Sequence, residues 1–214
     1  MIESNINETI IEEDMGAKVL IATLYSSEPV MLASTRLSPD RLVLLIDKIP
    51  NKVQTNSLDL IKKALGKVLE VKTVKTDVLD IVAVAKKCVE VIDMQPNDDK
   101  IYVNITAGKK TKALGLLFAA YARHERVKKI AYQSDDMKEL VYLPRISFRL
   151  TNSQKTILEY LETKGNKSMK ELADDVDLST AMLYRAIDEL KDMDLVQAVD
   201  SGVELTDAGR IARL

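Results

Sequence analysis

The sequence predicts an α/β protein in which a Rossmann-like, mostly parallel sheet of six strands is followed by a winged helix-turn-helix domain. Between Lys18 and residue 143, short apolar runs rich in β-branched residues alternate with amphipathic helical segments. The last two runs are joined by a connection too short for a crossover, which predicts an antiparallel hairpin. From Thr151 onward, strands give way to short helices and one further hairpin, the all-α-plus-wing arrangement.

Buried strands and amphipathic helices of the sheet domain follow from hydrophobic periodicity and turn signals. Strands are predicted at Lys18–Leu24, Arg41–Asp47, Glu70–Val74, Lys100–Ile105, Lys128–Gln133 and Glu139–Leu143. Helices are predicted at Pro29–Thr35, Ser57–Leu69, Asp77–Met94 and Thr111–Glu125. In the usual order of such sheets, the first and fourth strands flank the switch point where ligands bind.

Helix caps define the C-terminal domain. Asn152 or Ser153 is expected to cap a helix that Gly165 ends, and Ser168 with Glu171 forms a capping box for the next. Ser179 is expected to cap Thr180–Lys191, the predicted recognition helix. The inward face of this helix is predicted to consist of Met182, Leu183, Ala186, Ile187 and Leu190. Two short strands, Leu195–Val199 and Val203–Leu205, are predicted to form the hairpin wing, and a last helix is predicted to start at Thr206.

Composition and charge bound the class of protein. Of 214 residues, 46% are apolar and 30% charged, and no apolar run reaches the roughly 18 residues of a membrane span. The single cysteine, Cys88, excludes an internal disulfide and suits a reducing cytoplasm. We therefore expect a cytoplasmic protein with no membrane partner.

Charge is unevenly distributed among the predicted segments. These are a flexible acidic tail (1–16), the sheet domain (17–143), a linker (144–150) and the winged domain (151–214). The tail and the winged domain each carry a net charge of −5, whereas residues 17–150 carry +8. The basic charge therefore belongs to the sheet domain, where an anionic ligand is favoured.

The segment Asn104–Lys112 leaves a buried strand and enters a helix. Gly108 allows close backbone approach to a ligand, and the N–H groups and dipole of the following helix favour an anion. The segment adds mobile positive charge and hydroxyl donors from Lys109, Lys110, Lys112, Thr106 and Thr111. The alternative is that Gly108 only ends a turn and the lysines are solvated.

The loop lacks the first glycine of a Walker A motif, which argues against nucleotide hydrolysis.

This Asn-x-Thr-x-Gly-Lys loop, the terminal hairpin and the fused winged domain resemble the CRISPR-associated Rossmann-fold (CARF) regulators of archaea. The similarity spans residues 18–214. Many such domains carry Thr-Gly-Gly-Thr-Lys where this chain has Thr106-Ala-Gly-Lys-Lys110, so Ala107 departs from the pattern. The resemblance implies a homodimer in antiviral defence that binds cyclic oligoadenylate, commonly cyclic tetra-adenylate, across its two-fold axis.

No metal is expected, since one histidine and one cysteine cannot build a usual zinc site, and the first loop has no G-x-G-x-x-G for a dinucleotide cofactor. The resemblance also implies the residues that contact this ligand. They belong to two loops: Leu24, Tyr25, Ser26 and Ser27 after the first strand, and Asn104, Thr106, Ala107, Gly108, Lys109, Lys110 and Thr111 after the fourth. Tyr25 either stacks on an adenine or packs on a neighbouring helix.

The winged domain is expected to contact double-stranded DNA through its recognition helix, the flanking lysines and the wing. The candidate residues are Lys167, Ser179, Thr180, Tyr184, Arg185 and Ser201. The acidic charge of the winged domain opposes phosphate binding.

A ligand-responsive transcription regulator, with no enzymatic activity, is the leading hypothesis. The alternatives are an adaptor whose winged domain binds protein, and a slow ring nuclease that uses Lys109 or Ser26.

Overall fold

The six predicted strands form one sheet in the order β3-β2-β1-β4-β5-β6. The computed structural model describes residues 16–77, 79–134, 139–144, 150–165, 168–200 and 202–214. The strands are β1 (Lys18–Thr23), β2 (Arg41–Asp47), β3 (Glu70–Thr76), β4 (Lys100–Asn104), β5 (Val127–Gln133) and β6 (Leu140–Leu143). All neighbouring pairs are parallel except β5–β6, so the predicted terminal hairpin is confirmed. β1 and β4 lie side by side at the predicted switch point.

Two layers of helices cover the sheet because its central strands are apolar on both faces. The helices are α1 (Glu28–Leu37), α2 (Lys52–Leu65), α3 (Ile81–Asp93) and α4 (Lys110–Ala122). Leu20 and Ala22 of β1 belong to the core on the α1–α2 side. Val19 and Ile21 belong to the core on the α3–α4 side. This alternation places α4, which follows the candidate loop, beside α3.

α3 and α4 approach closely at Gly115. A Cβ atom added to Gly115 would lie 2.5 Å from Val84 Cγ1 and 3.2 Å from the backbone nitrogen of Ala85. Val84 is itself buried, at 1% exposure, so it has little room to move away. The glycine therefore sets the distance between these two helices.

Replacing Gly115 by alanine should destabilise the fold by about 1–3 kcal/mol, because an added methyl group overpacks the α3–α4 contact. Urea denaturation measures the change. In a Val84→Ala background the same replacement should cost less, since the clashing methyl group is gone. A loss below about 0.5 kcal/mol in the wild-type background would show that the helices separate freely.

The C-terminal elements form the predicted winged helix-turn-helix domain. They are α5 (Asn152–Lys164), α6 (Met169–Asp175), α7 (Thr180–Asp192), β7 (Val196–Val199), β8 (Gly202–Leu205) and α8 (Asp207–Ala212). β7 and β8 pair as an antiparallel hairpin, the wing. Leu183, Ala186, Ile187 and Leu190 face the domain core, as predicted, but Met182 is 56% exposed and the prediction that it points inward was wrong.

Several element boundaries differ from the sequence prediction because polar caps decided them. α2 begins at Lys52 rather than Ser57, since the Asn51 side chain accepts a hydrogen bond from the Gln54 amide. α5 is capped by Thr151, whose hydroxyl and Gln154 form a capping box, and not by Asn152 or Ser153. The Ser168 and Ser179 caps are confirmed. α4 ends at Ala122, three residues earlier than predicted.

Candidate functional site

The two loops singled out in the sequence meet at the carboxyl edge of the sheet. β1 pairs with β4 up to Ala22 opposite Asn104, so the loop starting at Leu24 and the loop starting at Ile105 leave the sheet together. Gly108 has a φ of +90°. A Cβ atom there would lie 3.4 Å from Thr23 Cβ and 3.5 Å from the Leu24 carbonyl oxygen. A glycine at this position therefore suits both the backbone conformation and the contact between the loops.

The two helices that begin at these loops lack side-chain caps. At α1 the N-cap residue is Ser27, and at α4 it is Lys109; neither side chain accepts a hydrogen bond from the helix. Among the described residues, each of the other six α-helices has a side-chain cap: Asn51, Asp80, Thr151, Ser168, Ser179 and Thr206. Two positive helix ends therefore face one edge of the sheet without an internal acceptor, which favours an anion there.

Buried polar atoms without a protein partner lie at the same edge. Within the described segments, these are Thr23 Oγ1 on β1, Asn104 Nδ2 on β4 and Gln133 Oε1 at the end of β5. Thr23 and Asn104 are 0% and 1% exposed. Because buried polar groups are normally paired, these atoms are available to water or to a ligand. Asn104 was predicted from the sequence, whereas Thr23 and Gln133 were not, because they look like ordinary strand residues.

Hydrogen bonds fix the shape of the second loop. Asn104 Oδ1 accepts from the Thr106 amide at 2.9 Å, and Thr106 Oγ1 accepts from the Gln133 amide at 2.9 Å. Ala107 is buried, at 7% exposure. Thr106 therefore has a structural role in addition to its predicted contact, and its hydroxyl hydrogen is still able to donate.

The predicted contact residues differ in their access to solvent. Lys109, Lys110 and Tyr25 are exposed, whereas Ser26, Ser27 and Thr111 are partly buried and Leu24 is fully buried. Leu24 can offer only backbone atoms, since its side chain packs in the α1–α2 core. Tyr25, at 43% exposure, is free to stack on a planar ligand, so the stacking alternative remains open.

Lys112 does not supply the mobile charge that the sequence analysis expected. Its side chain is 0% exposed, and its Nζ lies 2.5 Å from Asp47 Oδ1 and 3.4 Å from the Leu45 carbonyl oxygen. The prediction was wrong because Lys112 lies on the inward face of α4, where its stem crosses beneath Gly108 to the end of β2. The third lysine of the loop is thus a buried counter-ion.

Asp47 connects the two loops. Its Oδ2 lies 3.3 Å from Lys109 Nζ, while Oδ1 accepts from Lys112 and, at 3.4 Å, from Gln54 Nε2. Gln54 also donates to the Leu24 carbonyl oxygen at 2.6 Å and accepts from the Asp47 amide at 3.1 Å. Asp47 and Gln54 were not predicted as site residues, since nothing in their spacing indicates that they meet.

Charge and burial oppose each other in this group. Burial acts to raise the pKa of Asp47, but the adjacent Lys112 and Lys109 ammonium groups outweigh it, and the pKa lies below its ordinary value. Burial lowers the pKa of Lys112 from its ordinary value, although Asp47 counteracts this. The site therefore has a carboxylate held ionised between two cations, only one of which reaches solvent.

The candidate DNA surface is α7. Ser179 and Thr180 are exposed at its first turn, and Tyr184 and Arg185 are exposed on its next, at 49% for Tyr184. Arg185 Nε lies 3.0 Å from Glu189 Oε1, so its charge is already engaged within the helix. Lys167 and Ser201 lie outside the described residues. The exposed face thus has the expected shape but little free positive charge.

The two domains meet where α8 contacts α3 and α4. Glu162 of α5 pairs with Lys86 of α3 and, at 2.5 Å, with Arg213. Arg123, the C-cap residue of α4, donates to the Leu214 carbonyl oxygen and forms a bidentate pair with Asp93 at 2.8 and 2.9 Å. α4 therefore runs from the candidate ligand loop to the winged domain.

Acid should weaken this domain contact. Burial acts to raise the pKa of Glu162, but Lys86 and Arg213 outweigh it and lower the pKa from its ordinary value of 4.5. Because the folded pKa is depressed, the contribution is complete above pH 4.5 and is lost as pH falls through the lower value. Chemical denaturation between pH 7 and 3 should show a smaller acid loss in Glu162→Gln than in wild type. Equal pH profiles would contradict this assignment.

Three further features concern a metal site, the single cysteine and a membrane span. No group of three or more His, Cys, Asp or Glu side chains there is arranged to hold a metal ion. Burial raises the pKa of Cys88 to about 12, so its thiol stays protonated near neutral pH. No helix in the described ranges has both the length and the apolar character needed to cross a membrane.

Comparison with known families agrees with the two-domain fold. Residues 18–137 match the family model HFX_2341_N, which describes an N-terminal domain. Residues 150–197 match the winged helix-turn-helix DNA-binding family HTH_24. No curated protein matches the chain.

Several solved structures align with this chain at low sequence identity. Protein VC1899 from Vibrio cholerae is 10% identical, with a TM-score of 0.50 over 92% of this chain and 64% of its own. Can2 from Sulfobacillus thermosulfidooxidans, solved with cyclic tetra-adenylate, is 16% identical, with a TM-score of 0.49 over 91% of this chain and 63% of its own. A type III CRISPR defence DNA nuclease activated by cyclic oligoadenylate is 13% identical, with a TM-score of 0.45 over 79% of this chain and 33% of its own. The chain thus spans less than two thirds of each.

Proposed function

We propose that this chain, which belongs to the HFX_2341_N family and carries a winged helix-turn-helix domain, is a ligand-responsive transcription regulator of a CRISPR system. In this proposal the sheet domain binds cyclic oligoadenylate, with cyclic tetra-adenylate as the first candidate. The winged domain binds double-stranded DNA and responds to the ligand. The ligand is bound rather than cleaved.

One observation carries the ligand proposal: cationic and unpaired polar groups converge at a single edge of the sheet. The uncapped N-termini of α1 and α4 lie beside the exposed amines of Lys109 and Lys110. Thr23 and Asn104 contribute buried atoms with no protein partner among the described residues. Phosphates are bound by backbone N–H groups, helix dipoles and lysines together, whereas hydroxyl and amide groups suit ribose.

Exposed apolar side chains around the site support a homodimer. Tyr25, Ile49, Val53 and Leu114 are 43%, 89%, 48% and 43% exposed. Tyr25 and Ile49 lie in loops at the carboxyl edge of the sheet, Val53 in the first turn of α2 and Leu114 in the second turn of α4. Apolar groups clustered beside a charged site favour a protein partner over solvent. A second copy facing this edge would place two loops like Asn104–Lys112 on opposite sides of one cyclic ligand.

The physical connection between the domains supports a response to ligand. α4 begins at the ligand loop and its C-cap, Arg123, contacts the end of the winged domain. A ligand that pulls the N-terminus of α4 toward the partner protomer would therefore shift the domain contact in which Glu162 pairs with Lys86 and Arg213. Two winged domains would change their spacing, a rigid-body change of the kind that alters DNA affinity.

The test is binding of cyclic tetra-adenylate and promoter DNA, each measured with and without the other, at low salt. We expect submillimolar ligand binding, and a DNA affinity that changes when ligand is present. If the protein binds no promoter DNA at low salt, this would contradict the proposed role as a transcription regulator and favour a protein-binding adaptor. Linear products after prolonged incubation with the ligand would contradict binding without cleavage.

A further inference from the structure

We propose that Asp47 is a resting counter-ion for Lys109, and that buried Lys112 allows Lys109 to leave Asp47 for a ligand phosphate. The inference deepens the proposed function and rests on it for the identity of the anion. It assigns positioning roles to Asp47 and Lys112, which do not themselves reach the ligand.

The two lysines differ in how firmly the Asp47 carboxylate holds them. Both ammonium groups share the Asp47 carboxylate, but Lys112 Nζ is 2.5 Å from Oδ1 and Lys109 Nζ is 3.3 Å from Oδ2. The Lys112 side chain is 0% exposed and Lys109 is 53% exposed. Lys112 is therefore fixed, whereas Lys109 is held loosely at the surface and is free to turn outward.

Electrostatics explains why the site needs two cations for one carboxylate. If Asp47, which is 14% exposed, had Lys109 alone as its partner, moving Lys109 to a ligand would leave a largely buried charge unpaired. Such a charge is costly, so Lys109 would stay on Asp47. With Lys112 in place, Asp47 stays neutralised when Lys109 moves, and the lysine charge becomes available at little cost.

Gln54 extends the arrangement to the first loop. Its Nε2 bridges Asp47 Oδ1 and the Leu24 carbonyl oxygen, at 3.4 and 2.6 Å. Gln54 is 2% exposed, so this bridge is fixed by packing. The proposed ligand would contact both loops. Asp47 thus keeps these two loops in register with each other while Lys109 changes partner.

The decisive experiment compares Asp47→Asn, Lys112→Met and the double variant with wild type, using cyclic tetra-adenylate as the ligand. Lys112→Met should bind the ligand about three- to tenfold more weakly, because Lys109 is then the only cation for Asp47. Adding Asp47→Asn to Lys112→Met should restore affinity to at least the wild-type value. A double variant as weak as Lys112→Met would overturn the inference; because removing the unpaired carboxylate also restores stability, affinities are compared per folded molecule.

A second readout needs no ligand. Acetylation rates of individual lysines, measured by mass spectrometry at limiting reagent, report how firmly each amine is held. We expect Lys109 to react faster in Asp47→Asn and more slowly in Lys112→Met, with Lys110 unchanged as the internal control. Equal Lys109 rates in all variants would overturn the inference even if ligand binds. If the Lys109 acetylation rates change as expected in the variants but wild type binds no cyclic tetra-adenylate, the proposed function is overturned instead.

Discussion

The double variant Lys109→Ala, Lys110→Ala should bind cyclic tetra-adenylate at least about 100-fold more weakly than wild type, since each charge-assisted contact to phosphate contributes about 1.5–3 kcal/mol. Both side chains are exposed at the start of α4, so their removal leaves no cavity. The loss should therefore appear in affinity without a comparable loss of stability. Isothermal titration calorimetry measures it.

A matched control is available on α2. Lys62 and Lys63 are exposed near the C-terminal end of that helix, at the edge of the sheet opposite the candidate site. Replacing both by alanine removes the same net charge, and we expect ligand affinity to stay within about threefold of wild type, since distant exposed charges are screened. Retained affinity in the Lys109–Lys110 variant, or equal losses in both, would show that the ligand does not bind at this loop.

Lys112→Ala should destabilise the fold strongly. Removing the ammonium group leaves Asp47 without its buried partner, and truncating a fully buried side chain leaves a cavity beneath Gly108. Loss of one member of a buried ion pair costs about 3–5 kcal/mol. We expect a destabilisation of this size by urea denaturation, with Lys109 compensating only in part.

The Asp47→Asn, Lys112→Met double variant serves as the control, since it replaces the ion pair by neutral groups of similar size. It should be more stable than the Lys112→Ala single variant, because no buried charge remains. A Lys112→Ala variant within about 1 kcal/mol of wild type would show that the Lys112 ammonium group is solvated in solution.

Strand positions and their order were predictable because they depend on local patterns. The apolar run Arg41–Asp47 appears in the structure with the same bounds, and the short connection after β5 correctly indicated a hairpin. Gly108 was identified because a glycine between a buried strand and a helix allows close backbone approach, and its φ of +90° is one that glycine adopts readily. Such features follow from the chain's own periodicity and turn chemistry.

The buried polar network was not predictable because it depends on contacts distant in sequence. Lys112 and Asp47 are 65 positions apart, and a lysine three residues inside a helix next to two exposed lysines gives no sign of burial. Thr23 and Gln133 end strands like many other polar residues. Their significance appears only when β1, β4 and β5 are aligned in one sheet.

The winged domain illustrates the difference between shape and function. Its fold was predicted from caps and periodicity, and the structure confirms it. Its net charge of −5 and the engagement of Arg185 by Glu189 leave few cations for phosphate. DNA contacts in the proposed function must therefore be local, made by Tyr184, Arg185 and the first turn of α7.

We propose that anion binding at the Asn104–Lys112 loop changes DNA binding by the winged domain. It is tested most directly by measuring promoter DNA affinity with and without cyclic tetra-adenylate, in wild type and in Lys109→Ala, Lys110→Ala. We predict a ligand-dependent change of at least about fivefold in wild type, a usual size for coupling between sites, and no change in the variant. An unchanged DNA affinity in wild type, or the same change in both proteins, would contradict coupling between this loop and the winged domain.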